Sequence, residues 1–209
     1  SSGVPSLWTI GNVRPKGICG SGMISLLSGL FTSGWLDGQG RLSRERPTPA
    51  IRVEGRSARY ILASAEDSAT GKELAISETD IDNIIRAKAA IYSACAMLLE
   101  NLGLSFADLD RLYIAGGFGR YLDIDNAVIL GLLPDLDRGK FTYLGNSSLT
   151  GAYMVLVSKD FQRRMDESAR LMTYVDLGAE AGYMDQYTAA LFIPHTEAGR
   201  FPSVRAGRK

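Results

Sequence analysis

One apolar stripe limits the fold of this chain more than any other feature. Ile81, Ile84, Ile85, Ala89, Tyr92, Cys95, Ala96, Leu99 and Leu102 recur at the three-and-four spacing of a broad helical face. Ser77, Thr79 or Asp80 can cap its start, with carboxylates in the first turn to complement the helix dipole, and Gly103 stops it. A helix of about 24 residues at 1.5 Å each is ~36 Å long, enough to cross a whole domain. Cys95 on that face reads as a small core residue rather than a reactive thiol.

What flanks the long helix sets the architecture. Before it, Leu7–Ile10 reads as a short strand. A glycine-rich turn, Gly17-Ile18-Cys19-Gly20-Ser21-Gly22, then opens an apolar helix from Met23 to Trp35, ended by Gly34 and Gly38. Asp37 to Pro49 is a polar surface loop. Ala50–Val53 and Arg59–Ala63 form a hairpin around Glu54-Gly55-Arg56-Ser57, and Leu74-Ala75-Ile76 is a third strand. After the long helix the chain alternates. Arg111–Ala115 is a strand, Asp123–Gly131 a helix, Phe141–Leu144 a strand, Ser148–Ser158 a helix and Lys159–Leu171 a further helix, before a last strand at Met172–Leu177. Strands separated by helices pair in parallel through right-handed crossovers, so the fold class is α/β. The basic end, Arg200 to Lys209, reads as a frayed tail.

Composition removes several function classes. Lys plus Arg and Asp plus Glu stand at 23 each, so the formal net charge is zero and the basic excess of a nucleic-acid binder is missing. Hydrophobic residues are 45% and charged residues 22%, which excludes a wholly disordered chain. No apolar run approaches the ~20 residues of a membrane span. Two cysteines, Cys19 and Cys95, and one histidine, His195, cannot make a zinc site or a disulfide scaffold. Free thiols and the lack of a secretory leader fit a reducing, cytoplasmic setting. His195 has no nucleophile in the sequence pattern to serve and reads as structural. Gly139-Lys140-Phe141 and Gly71-Lys72-Glu73 both fail the Walker A pattern, and no nucleophile elbow or His-Glu-x-x-His motif is present.

Three segments carry the functional signal. In Leu112-Tyr113-Ile114-Ala115-Gly116-Gly117-Phe118-Gly119 a buried strand runs into a double glycine. Residues without side chains let backbone approach a flat ligand, at the strand end where open α/β sheets place ligands. The same pattern fits a tight strand-to-helix turn. In Leu144-Gly145-Asn146-Ser147-Ser148, Asn146 or Ser147 either caps the next helix or lines a ligand on that edge. Gly17 to Gly22 is either an anion site at a helix start or an ordinary glycine turn.

Together these segments resemble a ribonuclease-H-like lobe of the actin, Hsp70 and sugar-kinase (ASKHA) ATPases, a mixed sheet flanked by helices. Ile114-Ala115-Gly116-Gly117-Phe118-Gly119 is similar to the superfamily's adenosine motif, and Gly151-Ala152-Tyr153 to its second interdomain connection. Four runs narrow the resemblance to the C-terminal part of the reductive activators of corrinoid proteins, which are often described only as ferredoxin-like or metal-binding. These runs are Arg14 to Ile24, Asp80 to Ile91, Ile114 to Ile124 and Phe192-Ile193-Pro194-His195.

The resemblance implies that residues 1–209 form a single actin-like ATPase lobe. Its parts would be a glycine-rich loop, helix and antiparallel strands (1–76), the long helix with a β-α-β-α core (77–177) and a C-terminal extension (178–209). It implies nucleotide contacts at Gly116, Gly117, Phe118 and Gly119, with Asn146 and Ser147 at the edge. No catalytic residue or metal ligand is assigned. In the family, ATP with Mg²⁺ is coupled to returning a Co(II) corrinoid to Co(I), and an N-terminal domain carries a [2Fe–2S] cluster. The C-x4-C-x2-C ligand pattern is missing here, as is the first ATPase lobe with its Asp-x-Gly phosphate motif. The chain is therefore expected to be a C-terminal lobe that alone holds no cluster and hydrolyses no ATP. Its implied partners are a corrinoid iron–sulfur protein or corrinoid-dependent methyltransferase, or a second copy in a homodimer, with neither nucleic acid nor membrane. Two other readings fit the same residues: the nucleotide lobe of an acid- or sugar-kinase relative, and a partner-docking module without nucleotide.

Overall fold

The structure, a computed structural model, describes residues 3–46, 48–117 and 121–204. Four elements near the N-terminus build one wall. Helix α1 (Gly20–Thr32) starts at Cys19, whose sulfur accepts from the Gly22 N–H, and buries Ile24, Leu27, Leu30 and Phe31 on one side. Strands β1 (Ile51–Glu54) and β2 (Ser57–Ala63) form the expected hairpin, with Gly55 at φ +61 in its two-residue turn. Strand β3 (Leu74–Ser77) adds antiparallel to β2.

The long helix, α2, spans Glu78–Glu100. Ser77 and Asp80 make a reciprocal capping box: Ser77 Oγ accepts from the Asp80 N–H at 3.2 Å, and Asp80 Oδ2 accepts from the Ser77 N–H at 2.9 Å. Its buried side is Ile81, Ile85, Lys88, Ala89, Tyr92, Ser93, Ala96 and Met97. Cys95 is exposed, contrary to the sequence expectation. Helix α6 (Tyr183–Ala190) packs along α2 and helps select Ser93, Ala96 and Met97 as the inner face, which leaves Cys95 with Ile91 and Leu98 on the open side.

The second half supplies a parallel pair. Strand β4 (Leu112–Ala115) runs beside β5 (Phe141–Gly145), joined through α3 (Ile124–Leu130). Helix α3 packs on α1, where Ser28 Oγ donates to Asn126 Oδ1 at 2.7 Å. It ends at Gly131, a left-handed residue with φ +79, where a Cβ would lie 2.1 Å from the Pro194 carbonyl oxygen. No other residue type fits there. Helices α4 (Ser147–Val157) and α5 (Lys159–Leu171) follow and pack against each other. The chain is thus α/β, and among the described residues its antiparallel and parallel strands form two sheets, of three and two strands, flanked by helices.

Three further sequence expectations fail. Leu7–Ile10 is not a strand: residues 4–9 are irregular, Ile10–Asn12 is a 3-10 turn, and Trp8 and Ile10 are exposed. Met172–Leu177 is not a strand either, and Met172 and Tyr174 are exposed. In both, β-forming residues find no neighbouring strand, and a strand is made by its partner more than by its propensity. The basic end is not frayed from Arg200 onward. Phe201 is buried beside Tyr92 and His195, and Ser203 is held by Asp135 through its N–H and hydroxyl, each at 2.7 Å. Residues 205–209 lie outside the described residues.

The main core gathers Leu27, Leu30 and Phe31 of α1, Tyr60 of β2, Ile81 and Ile85 of α2, Ala127 and Leu130 of α3, and Ile193. A smaller cluster unites Ala89, Tyr92, Val128, Ala190 and Phe201. No helix among the described residues is long and apolar enough to cross a membrane.

Candidate functional site

The carboxyl ends of β4 and β5 meet at two glycines. Pairing runs Leu112 with Phe141, Tyr113 with Thr142 and Ile114 with Tyr143, then slips so that Ala115 faces Gly145. The slip closes with the Gly116 N–H donating to the Gly145 carbonyl at 2.7 Å. Both corners are left-handed, Gly116 at φ +97 and Gly145 at φ +67, a conformation L side chains rarely adopt. Gly117 follows on the surface without a positive φ. A Cβ built on Gly116 or Gly117 would meet no atom of the described chain within 4 Å. No side chain among the described residues seals the ledge at these two positions.

The second predicted segment sits at the same end of the pair. Asn146 is the N-cap of α4, its Oδ1 accepting from the Leu149 N–H at 3.2 Å, and it is exposed. Ser147 is the first residue of that helix and half-buried. Capping thus occupies the Asn146 oxygen, while the first turn of α4 starts one residue beyond the Gly145 corner. Gly116, Gly117, Asn146 and Ser147 share one edge of the molecule. Phe118 and Gly119 lie outside the described residues.

The third segment, Gly17 to Gly22, starts α1, where Cys19 takes the capping position. The Ser21 hydroxyl and the Gly22 N–H hold the Cys19 thiol below its ordinary pKa. His195 is buried and stacked against Phe201, and its Nδ1 accepts from the Glu197 N–H at 3.0 Å. Burial, then the nearby Arg200 charge, pushes its pKa down to about 4. It is an uncharged packing residue at neutral pH.

Among the described residues the ledge offers bare main chain, backbone N–H groups and one helix start. Among the described residues no group of three or more His, Cys, Asp or Glu is placed to hold a metal ion. A concavity of about 420 Å³ elsewhere, between the end of α2 and the start of α6, is lined by Met97, Glu100, Gly182 and Gln186 and shares no residue with the ledge.

Two residues that make long-range ties, the buried Lys88 and the exposed Tyr143, escaped the sequence reading. Lys88 lies on the buried face of α2, at the spacing Ile81, Ile85, Lys88, Tyr92 that the apolar stripe itself gives. Tyr143 of β5 donates its hydroxyl to the Leu122 carbonyl, across 21 residues, and no local pattern marks that contact.

Comparison with known proteins is consistent with this geometry. Residues 2–205 match the family model of the C-terminal domain of RACo, the ASKHA domain. The corrinoid activation enzyme RamQ of Eubacterium limosum is 32% identical over 185 residues, which covers 85% of this chain and 31% of the relative. The [Co(II) methylated amine-specific corrinoid protein] reductase of Methanosarcina barkeri is 30% identical over 103 residues, 49% of this chain and 19% of that protein. A solved reductive activator for corrinoid, iron–sulfur protein superposes with a TM-score of 0.87 at 44% identity, over 94% of this chain and 31% of that one. The chain spans about a third or less of the length of each of these relatives. With the fold, the sequence match and the structural match in agreement, the chain belongs to the family of C-terminal ASKHA domains of RACo.

Proposed function

We propose that this chain supplies the adenosine side of the nucleotide site in an ATP-dependent reductive activator, which returns inactive Co(II) corrinoid proteins to Co(I). The observation that carries this reading is the bare ledge at Gly116 and Gly117, uncovered by any described residue and set at the joined ends of two parallel strands. Base and ribose would lie on that main chain, with Asn146 and Ser147 at the edge. The relatives named for corrinoid activation supply the substrate class.

The chain's own residues define its share of the work. Two cysteines, both exposed and on different helix regions, do not fit the four-thiolate ligand set of a [2Fe–2S] cluster, so electron storage belongs to another part of such an activator. Among the described residues the ledge has no carboxylate cluster for Mg²⁺, so phosphates and metal would be gripped by residues beyond those described there. One face of a two-sided cleft buries only part of a nucleotide, which predicts weak affinity for the chain alone.

Calorimetric titration of the full-length protein with ATP tests the reading. A Cβ at Gly117 meets no described atom within 4 Å, so Gly117→Val is directed at the ligand rather than at the described fold. The expected result is at least a tenfold rise in Kd with an unchanged melting temperature. Unchanged affinity would leave the ledge without a role in nucleotide binding.

A further inference from the structure

We propose that Tyr143 is a positioning residue for the nucleotide ledge, holding the far end of the β4–α3 connection against β5; this rests on the nucleotide reading above. The connection leaves β4 at Gly116 and enters α3 at Asp123, the N-cap residue whose Oδ1 accepts from the Asn126 N–H at 2.8 Å. Its near end is fixed by the Gly116 N–H on the Gly145 carbonyl. Its far end is fixed by the Tyr143 hydroxyl on the Leu122 carbonyl. Both anchors lie on β5, two residues apart, and the helix start at Asn146 follows directly. One strand end thereby sets the glycine corner, the entry to α3 and the start of α4.

Each part of the tie has a reason. Leu122 is buried, so its carbonyl needs a partner away from water, and the phenol supplies it. Tyr143 stands opposite Ile114 in the parallel ladder, so its ring starts from the strand paired with the one that leads into the ledge. Burial and the neighbouring Asp123 carboxylate raise the phenol's pKa, which keeps it protonated as a donor. Phenylalanine retains the ring and loses only this bond. The ledge's own glycines cannot stiffen it, since they lack side chains to pack. A ligand platform must be ordered before the ligand arrives, or ordering it weakens binding.

The test is Tyr143→Phe in the full-length protein, read three ways. Hydrogen exchange in the peptide covering residues 122–130 should quicken by roughly three- to tenfold, the population change expected from one lost hydrogen bond. Exchange in α1 and α2 should not change. ATP titration should show Kd raised by a similar factor, and ATP hydrolysis a raised KM with kcat preserved. Unchanged exchange at 122–130 overturns the tie. Faster exchange with unaltered Kd and KM overturns the positioning role and leaves a structural contact only. If the unsubstituted protein does not bind ATP, the nucleotide reading fails and the positioning role with it. The exchange result then still reports whether the tie exists.

Discussion

Lys88 Nζ lies 2.7 Å from the carbonyl oxygen of Pro194 and 2.5 Å from that of Phe192, with the residue almost wholly buried. A neutral amine has two N–H donors, and two carbonyls receive them; an ammonium would carry a third donor and a charge. Burial pushes this lysine's pKa down to about 7. His195, whose pKa is lowered partly by Lys88, sits in the same region. Between about pH 7 and the unfolded value near 10.5 the unfolded chain binds more protons at Lys88, so stability must rise with pH. His195 acts likewise between about 4 and 6.5. Urea unfolding at pH 7 and pH 9 should show a gain on the order of a few kcal/mol. Lys88→Met should remove that gain, and an identical slope in both proteins would place the titration elsewhere.

At the N-terminal end of α2, Glu78 is buried and joins three elements. Its carboxylate accepts from the Leu42 N–H and the Ala58 N–H, each at 3.0 Å, and pairs with Arg44 at 2.9 Å. Burial alone would raise its pKa, but the Arg44 guanidinium and the two N–H groups outweigh that and hold it below the ordinary value. Its contribution is therefore present above the unfolded carboxylate pKa and lost as pH falls through the lower folded one. Glu78→Ala leaves two backbone donors without their acceptor and should cost about 3–5 kcal/mol in chemical denaturation. A cost below about 1 kcal/mol would mean the site closes up or admits water.

Legibility in the sequence followed the range of the forces involved. Helix α2 announced itself because period, cap and stop are local, and the β1–β2 hairpin because its turn is. Gly116 and Gly117 were legible as a strand running into bare backbone, and Asn146 as a cap. Leu7–Ile10 and Met172–Leu177 misled because a strand needs a partner that its own residues do not specify. Cys95 misled because packing against α6, distant in sequence, chooses which flank of a wide apolar face is covered. Phe201 was hidden within a basic tail, and the Tyr143–Leu122 tie has no pattern at all.

Helix α4 makes a contrasting case. Leu149, Tyr153, Leu156 and Val157 are all exposed, and none of its residues is buried. Side chains that touch little contribute little, so Leu156→Glu should change stability by no more than about 0.5 kcal/mol. The same change should raise the concentration at which this 209-residue chain remains clear, since it breaks an exposed apolar run. A loss of more than about 2 kcal/mol would show Leu156 packed in a core.

The two ledge glycines should respond differently to the same substitution. Neither has a neighbour to clash with among the described residues, so space there does not separate them. Backbone does: Gly116 is held at φ +97 by its bond to Gly145, whereas Gly117 has no positive φ. Gly116→Ala forces an L residue into a sparsely populated region and should cost about 1–3 kcal/mol. Gly117→Ala removes freedom from the unfolded chain without strain and should be neutral or stabilising by about 0.4–1 kcal/mol. Thermal melts of the two variants decide it, and the order of their midpoints matters more than either value. Equal losses would mean that Gly117 is also conformationally required. The ledge would then be a backbone turn for which glycine is needed by geometry alone, and the case for a ligand on it would lose its main support.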